Sequence, residues 1–485
     1  MILGESLIEA GLVEDRDIHL ALERQQQLGG PLGQNLVALG LITPEQLDHF
    51  FNMMPPPVRS VADTGLDPTF LMTLALKIMN VFNLDTASRV AEEIKLPATV
   101  VASVIEDALE RGLLEDQGIG RQDALGEHRY TITNKGRQWV SEALALSQYV
   151  GPAPISLAAY QLQVGRQRIT NDRVDLTGLE DCFSHLVLPD GFLERIGPAI
   201  NSGRAMLLYG PPGNGKTSIA FALAHCFRQC VYVPYCIEVD GQIIKVYDPM
   251  VHSEALAVDE IELEDPRRSK VLRDDTDRRW LRCRRPVAIT GGELTLDMLD
   301  LAFNDAAKTY EAPLQMKASG GLVVIDDFGR QRVQPEQVLN RWIVPLEKGF
   351  DFLTLQSGRK FKVPFDGLVI FSTNMSPNEL MDPAMLRRIP YNFLLDRPMP
   401  DEYDRIFETT CQRFGLEYSP DVVVSLMSEF YGVNGLPLAR YHPNFILDHV
   451  IAHCRYTGEP PRLERDIVLA AAEHLYTKKP QAAVA

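Results

Sequence analysis

The sequence predicts an α/β protein whose main body is a parallel sheet between helices, with a helical lid after it and two smaller modules before it. Three observations predict this class. A short apolar run at 206–209 enters a glycine-rich loop that opens a helix. Two further apolar runs, 321–325 and 368–371, each end in polar residues. After Pro400 the apolar spacing is helical only.

The composition is that of an acidic globular protein. The 485 residues allow about three domains, at roughly 100–200 residues per domain. The net charge of −17 disfavours a simple nucleic-acid binder, because an acidic surface repels phosphate backbones. Seven cysteines without a C-x-x-C pair disfavour a disulfide framework or a cysteine-based zinc site. The sequence has no apolar run long enough to cross a bilayer and no signal peptide, which predicts a cytoplasmic protein without membrane insertion.

Residues 1–56 contain an internal repeat with an offset of 29 residues. Each copy begins with Leu-Gly, at Leu3 and Leu32, and continues to a Gly-Leu pair followed by Val or Ile. The apolar residues lie at helical spacing on both sides of that second glycine, which suits a turn because glycine accepts positive φ. The repeat therefore predicts a tandem helical domain.

This repeat resembles the MshEN-type N-terminal domain of type II secretion and type IV pilus assembly ATPases, some of which bind cyclic di-GMP. That family opens each copy with Arg, whereas Ile2 and Pro31 stand at those positions here, and Met54 replaces the final Gln of the second copy. The resemblance implies either a cyclic di-GMP site or a helical protein-docking module.

Residues 66–147, after a proline-rich linker, resemble a winged helix-turn-helix domain. The predicted elements are three helices, a wing and a last helix: Thr69–Phe82, Thr86–Ile94, Pro97–Arg111, His128–Gly136 and a helix from Arg137. Residues 66–145 carry eight Lys or Arg against twelve Asp or Glu, so the basic footprint that DNA binding needs is missing. Protein contact is the favoured interpretation, and Arg129, Lys135 and Arg137 keep a DNA-binding alternative open.

The loop after the 206–209 run matches G-x-x-x-x-G-K-[ST] between a strand and a helix. In such a loop, backbone N–H groups converge on phosphates, Lys216 neutralises them and the Thr217 hydroxyl holds Mg²⁺. The predicted nucleotide-binding residues are Gly210, Pro211, Pro212, Gly213, Asn214, Gly215, Lys216, Thr217 and Ser218.

The other two runs supply the remaining candidates for catalysis. Asp326 would complete the Mg²⁺ shell with Thr217, and Asp327 would polarise the attacking water as general base. Asn374, at the end of the third run, would orient that water or contact the γ-phosphate. Arg387 and Arg388 would stabilise charge on a transferring phosphoryl group, supplied from a neighbouring subunit.

In this order the elements of residues 170–480 resemble the AAA+ ATPase family. The resemblance implies a core at 170–398, a helical lid at 399–480, and Walker A, Walker B, sensor 1 and arginine-finger roles for the residues just named. The expected hairpin at 353–363 is similar to that of the pre-sensor-1 clade, which includes MoxR-like proteins. In those relatives a sensor 2 Arg follows a His-Pro pair. Here Asn444 follows that pair, so either Arg440 is the substitute or a sensor 2 Arg is absent. We expect His442 to pack in the lid.

The long separation of Lys216 from Asp326 predicts an insertion within 237–315, with a hairpin at 239–246. Trp280, Arg282, Arg284 and Arg285 could grip a polymer in a pore, but a solvated charged loop is favoured.

The resemblance implies ATP and Mg²⁺ as cofactors and a homo-oligomeric, hexameric ring. The whole chain is similar to a group described as predicted ATPases with chaperone activity, which implies remodelling of an unknown protein client recognised by the N-terminal modules. The alternatives are a DNA-associated regulatory ATPase and a cyclic di-GMP-gated switch.

Overall fold

A computed structural model describes residues 7–8, 12–28, 32–44, 46–47, 50, 54–119, 127–227, 229–255 and 276–476. In the N-terminal part the helices are Asp15–Leu28 and Leu32–Ala38. Leu7 and Leu36, which are 29 residues apart, are both buried and accept equivalent backbone hydrogen bonds, from Leu12 N at 3.0 Å and from Leu41 N at 3.1 Å. The sequence repeat therefore corresponds to a repeated local structure. Ile2 and Pro31, on which the cyclic di-GMP prediction depends, lie outside the described residues.

The next part consists of three helices, an antiparallel hairpin and a further helix. The elements are helices Pro68–Phe82, Ala87–Ile94 and Ala98–Glu110, strands Leu114–Ile119 and His128–Ile132, and helix Asn134–Leu146. The helix starts are where side-chain caps predict them, since Asp67, Thr86 and Thr133 accept the backbone N–H three residues on. The two strands pair antiparallel.

The central sheet consists of five parallel strands. Across the sheet they are Tyr391–Leu394, Met206–Tyr209, Gly367–Thr373, Gly321–Ile325 and Val287–Thr290. Gly321–Ile325 is buried throughout, as its continuous apolar run predicts. Strand Val287–Thr290 of this sheet lies within 237–315, the range in which an insertion is predicted. The additional residues form two pieces, one on each side of this strand.

Those pieces build a second, mixed sheet, which we call the lateral sheet. In order its strands are Ala302–Asn304, Thr309–Glu311, Gln242–Lys245, Cys236–Val239 and Ile155–Ser156. Strands Val231–Pro234 and Trp280–Cys283 form a separate antiparallel pair. Both predicted hairpins are present, at 236–245 and as Phe350–Thr354 with Lys360–Pro364.

Two residues of the charged stretch are buried, contrary to both interpretations of it. The Trp280 side chain packs in the core of the lateral sheet. Arg285 is 5% exposed and its Nε lies 3.0 Å from Asp172 Oδ2. An ion pair inside the protein holds segments together and is available neither to solvent nor to a polymer.

Helices cover the central sheet and form the lid. The covering helices are Leu176–Phe183, Phe192–Ser202, Lys216–Ala224, Leu314–Lys317, Pro335–Arg341, Ile343–Lys348, Pro377–Leu380 and Pro383–Leu386. Helix Leu157–Arg166 instead packs on the lateral sheet and on strand Lys360–Pro364. The lid has helices Pro400–Phe414, Pro420–Ser425, His442–Thr457 and Arg465–Glu473, with a π-helical segment Leu426–Gly432. No helix in the described part of the chain combines the length and apolar character needed to span a bilayer.

The winged-helix-like part and the lateral sheet share one apolar core. Cys236 and Ile243 of the sheet belong to the same cluster of buried side chains as helices Pro68–Phe82, Ala87–Ile94 and Ala98–Glu110. Arg279 is buried with Asp277 and donates to the backbone carbonyls of Thr64 at 3.0 Å and Pro154 at 2.9 Å. The part of the chain from Val58 to Pro154 is thus built into the body of the protein.

Candidate functional site

The glycine-rich loop joins a central strand of the sheet to a buried helix. Strand Met206–Tyr209 lies between two other parallel strands, and the helix Lys216–Ala224 starts directly after Gly215. Gly213 and Gly215 have φ values of +74° and +86°, a region that favours glycine. The loop therefore lies at the carboxyl edge of the sheet, where α/β proteins bind ligands, with a helix N-terminus behind it.

Lys216 lies at the centre of this site. Its Nζ donates to the carbonyls of Gly210 and Pro211, both at 3.0 Å, and to Asn374 Oδ1 at 2.7 Å. Burial lowers the pKa of Lys216, and the nearby Asp326 and Asp327 carboxylates oppose that shift. The ammonium group is thus held between the loop and the end of the strand Gly367–Thr373.

The carboxylates after strand Gly321–Ile325 face Thr217 and Asn374. Thr217 Oγ1 donates to Asp326 Oδ2 at 2.8 Å, and Asn374 Nδ2 donates to Asp327 Oδ1 at 3.2 Å. Asp327 is exposed and its φ is +47°. A hydroxyl and a carboxylate oxygen at this separation are hard ligands of the kind that Mg²⁺ takes, so the residues present fit that ion.

A cavity of about 700 Å³ opens beside these residues. One wall is the loop and the carboxyl edge of the sheet, and the other is the lid. Asn214 and Ser372 are each 1% exposed, and Asn214 Nδ2 and Ser372 Oγ have no hydrogen-bond partner among the described residues. Because buried polar groups are normally paired, these two atoms indicate a polar ligand.

The far end of the cavity contains residues that sequence reasoning missed. The segment 185–189 lines it opposite lid residues Ile406, Thr409, Thr410 and Arg413. The segment 185–189 contains no sequence motif that would mark it as part of a binding site. The one feature that could have pointed to it is its position between helices Leu176–Phe183 and Phe192–Ser202. A mostly apolar segment beside a phosphate-binding loop suits the base of a nucleotide.

The lid contacts the glycine-rich loop directly. Tyr441 N donates to Gly213 O at 3.0 Å, and Arg440 N donates to Asn214 Oδ1 at 3.2 Å. A Cβ on Gly213 would lie 2.2 Å from Tyr441 Cδ1, so only glycine permits this approach.

Arg440 lines the cavity, and its guanidinium links the lid to the segment 185–189. It donates to Val187 O at 2.8 Å and pairs with Glu402 Oε2 at 2.8 Å. Burial lowers the pKa of Arg440, and Glu402 opposes that shift. These contacts are those of a residue that positions the lid.

His442 packs inside the lid, as expected. It is 2% exposed, its Nδ1 lies 2.8 Å from the hydroxyl of Tyr431, and burial lowers its pKa to about 4. Its imidazole is therefore neutral at physiological pH.

The two candidate finger residues are outside this cavity. The described residues that line it include neither Arg387 nor Arg388. Arg387 is exposed, and Arg388 Nε lies 2.8 Å from Glu347 Oε1. Arg330, which the sequence analysis did not select, does line the cavity, three residues after Asp327.

Comparison with known proteins gives one family match and several distant structural likenesses. Residues 399–474, which coincide with the lid, match the family described as Domain of unknown function (DUF8689). No curated protein matches the sequence. Among solved structures, NtrX from Brucella abortus is 12% identical with a TM-score of 0.37, and the match covers 62% of this chain and 58% of that one.

Two structures of Thermotoga maritima RuvB are also similar. One of them, a point mutant, is 13% identical over 64% of this chain and 73% of that one, with a TM-score of 0.33. The structure described as the Holliday junction branch migration motor is 15% identical over 62% and 70%, with a TM-score of 0.31. TM-scores below 0.5 bear on neither the fold nor the activity. What the comparisons identify is the lid, residues 399–474, as a unit shared with other proteins.

Proposed function

We propose that this chain is an ATPase of the AAA+ type that binds ATP with Mg²⁺ in the cavity between the sheet and the lid. The observation that carries the proposal is the convergence of Lys216, Thr217, Asp326, Asp327 and Asn374 at one edge of a parallel sheet. Glycine-rich turns alone occur in many proteins. A lysine, a hydroxyl and two carboxylates that meet beside such a turn are the groups that phosphoryl transfer requires.

Each residue has a role in this proposal. Thr217 and Asp326 hold the Mg²⁺, which neutralises charge between the outer phosphates when it is bound. Lys216 keeps its ammonium beside the phosphates and exchanges part of its contact with the loop carbonyls for phosphate oxygens. Asp327 accepts the proton of the attacking water, and Asn374 fixes the orientation of that carboxylate.

The base of the nucleotide lies between the segment 185–189 and the lid. Arg440 ties these two walls together through Val187 and Glu402, and the lid reaches the loop through Tyr441 and Gly213. Closure of the lid on the base would therefore also affect the glycine-rich loop that contacts the phosphates. We assign Arg440 to lid positioning and not to direct contact with phosphate.

A ring of subunits would allow Arg387 or Arg388 of one chain to reach the site of the next chain. Since neither lines the cavity of its own chain, a role in catalysis requires that a neighbouring copy receive them. The exposed Arg387 is free for such a contact, whereas Arg388 must first leave Glu347. We therefore favour Arg387 as the finger in a hexameric ring.

The contacts of the winged-helix-like part favour binding of a protein client over binding of DNA. Lys135 Nζ donates to Arg111 O at 2.7 Å, Arg137 bonds Ile132 O at 3.0 Å, and Arg129 Nη1 lies 3.4 Å from Asp85 Oδ2. The three cations of the wing thus already have partners within the module. The third helix adds the exposed carboxylates Glu106 and Glu110, which would repel a phosphate backbone. We do not propose a cyclic di-GMP site, because nothing in the described residues or the comparisons supports one.

The test is ATP binding by the full chain and by Lys216→Ala. Removal of the ammonium group should abolish binding of a fluorescent ATP analogue and hydrolysis together, because no other described cation lies between the loop and Asn374. Lys308→Ala, which removes an exposed lysine paired with Asp305, is the matched control and should bind normally. Undiminished binding by Lys216→Ala would refute the site.

A further inference from the structure

Arg330 is held at the catalytic end of the cavity by a loop that is fixed on both sides. Before it, Phe328 is 1% exposed, packs against Phe371 at 4.8 Å between ring centroids, and donates its N–H to Ser372 O at 2.7 Å. After it, Gln331 Nε2 donates to Asp326 O at 2.9 Å and its Oε1 accepts from Gly329 N at 2.8 Å. The backbone on either side of Arg330 is thus anchored to the two strands that supply Asp326 and Asn374.

Gly329 makes the turn that presents Arg330. Its φ is +103°, and a Cβ there would lie 2.8 Å from Leu380 Cδ1 and 2.9 Å from Met375 Sδ. Arg330 N closes the turn on Asp327 O at 2.9 Å. A residue other than glycine would move this turn, so the exposure of Arg330 beside Asp327 is a built feature of the loop.

In the part of the chain that the structure describes, four cationic side chains line the cavity, and their contacts show which of them is available to bind a phosphate group. Lys216 is engaged by two carbonyls and by Asn374, and Arg440 by Glu402 and Val187. Arg413 lies at the lid end and bonds Asn444 Oδ1. The Arg330 side chain is exposed, and the described residues provide it with no hydrogen bond or ion pair.

We propose that Arg330 is a catalytic arginine that acts in cis, contacting the γ-phosphate of ATP bound to its own chain. The proposal rests on the ATPase function proposed above and adds a residue to it. A guanidinium presents paired N–H donors to phosphate oxygens and stays charged, which suits it to the charge that spreads over the phosphoryl group during transfer. Arg330 forms no covalent bond. The water oxygen forms a bond to the γ-phosphorus while the bond from that phosphorus to the β–γ bridging oxygen breaks, so that ADP is the leaving group and Asp327 takes the proton of the water.

This role separates Arg330 from a finger supplied by a neighbour. A residue that contacts only the γ-phosphate strengthens binding of ATP and not of ADP. It also cannot be replaced by a second subunit, because its backbone is anchored to the same strands as Asp326 and Asn374. These two properties define the experiment.

The experiment compares Arg330→Ala, Arg330→Lys and the control Arg332→Ala, with fluorescent ATP and ADP analogues and with steady-state hydrolysis. Arg332 is exposed on the same loop and is not among the described residues that line the cavity. Arg330→Ala should lose roughly tenfold to a hundredfold in ATP affinity and in turnover, as expected for a charge-assisted hydrogen bond, and should change ADP affinity by less than about twofold. Arg330→Lys should recover part of the loss.

Mixing with Lys216→Ala decides between cis and trans action. If Arg330 acts in cis, neither subunit of the mixture has a complete site, and hydrolysis does not recover. Recovery on mixing, equal behaviour of Arg330→Ala and Arg332→Ala, or an equal loss of ATP and ADP affinity would each overturn the assignment while leaving the ATPase function standing. A wild-type chain that binds no ATP would overturn both.

Discussion

Lys216 Nζ and Asn374 Oδ1 lie 2.7 Å apart, although 158 residues separate them along the chain. The same Asn374 donates to Asp327 Oδ1 at 3.2 Å, so its amide connects the Lys216 ammonium with the carboxylate to which the proposed function assigns activation of water. The amide has a donor and an acceptor in fixed positions, and each is matched to a partner of the right charge. In the proposed ATPase, Asn374 would therefore couple phosphate binding by Lys216 to the orientation of Asp327.

Asp327→Asn should keep ATP binding and lose hydrolysis. The amide retains an oxygen that accepts from Asn374, but it cannot take a proton, and loss of a general base lowers turnover by about 10²–10⁴-fold. Single-turnover hydrolysis and binding of an ATP analogue measure the two properties separately. Asp305→Asn, at a side chain that is 88% exposed, is the control. Wild-type hydrolysis by Asp327→Asn would show that another group activates the water.

Gly213→Ala should destabilise the contact between the lid and the loop. The substitution adds a Cβ that clashes with Tyr441 and forces alanine to adopt positive φ, and strain of this kind is worth about 1–3 kcal/mol. Gly215→Ala is the matched control, because Gly215 also has positive φ but a Cβ there meets nothing within 4 Å. Thermal unfolding without nucleotide should show a larger loss for Gly213→Ala. Equal losses would mean that Tyr441 moves away freely and that the lid contact contributes little.

His442 should make stability depend on pH below neutrality. Its pKa of about 4 in the folded chain is below the ordinary 6.5 of an unfolded histidine, so the unfolded state binds the proton more tightly. The stability that His442 contributes is therefore complete above about pH 6.5 and falls as the pH drops from there toward 4. Thermal midpoints at pH 7 and pH 5 should differ less for His442→Gln than for the wild type. His19→Gln, at an exposed histidine, should retain the wild-type difference.

Much of the fold could be predicted because its strands are marked in the sequence. Strands 206–209 and 321–325 begin and end where their apolar runs do, since both strands are covered on two faces. Val287–Thr290 is an edge strand in which Ile289 is 42% exposed, and its short, mixed pattern was not distinguishable from the residues around it. The lateral sheet could not be predicted because it pairs Ile155–Ser156 with a strand about 80 residues later, and a local sequence pattern does not indicate such distant pairing.

The site could be predicted where residue type and position in a motif determine chemistry. Lys216 lies beside Asn374 and Thr217 beside Asp326, because the carboxyl ends of parallel strands meet at one edge, and their roles in catalysis stay a prediction. Arg330 could not be predicted as a site residue from the sequence. Its side chain lines the cavity because contacts of Phe328 and Gln331 with the rest of the fold hold the loop in place. The contacts of Arg440 were equally inaccessible, because Val187 and Glu402 lie far from it in sequence.

The buried guanidinium of Arg279 joins the segment after residue 170 to the helices before it. A chain shortened to begin at residue 170 would lose the carbonyls of Thr64 and Pro154 as acceptors and would leave Cys236 and Ile243 facing water. Such a fragment would contain every residue of the candidate site, yet it would carry unpaired donors and a bare apolar surface where the helices between residues 68 and 110 had been. We therefore expect the candidate site to need a chain that begins near residue 58, where the first side chain of that shared core is found.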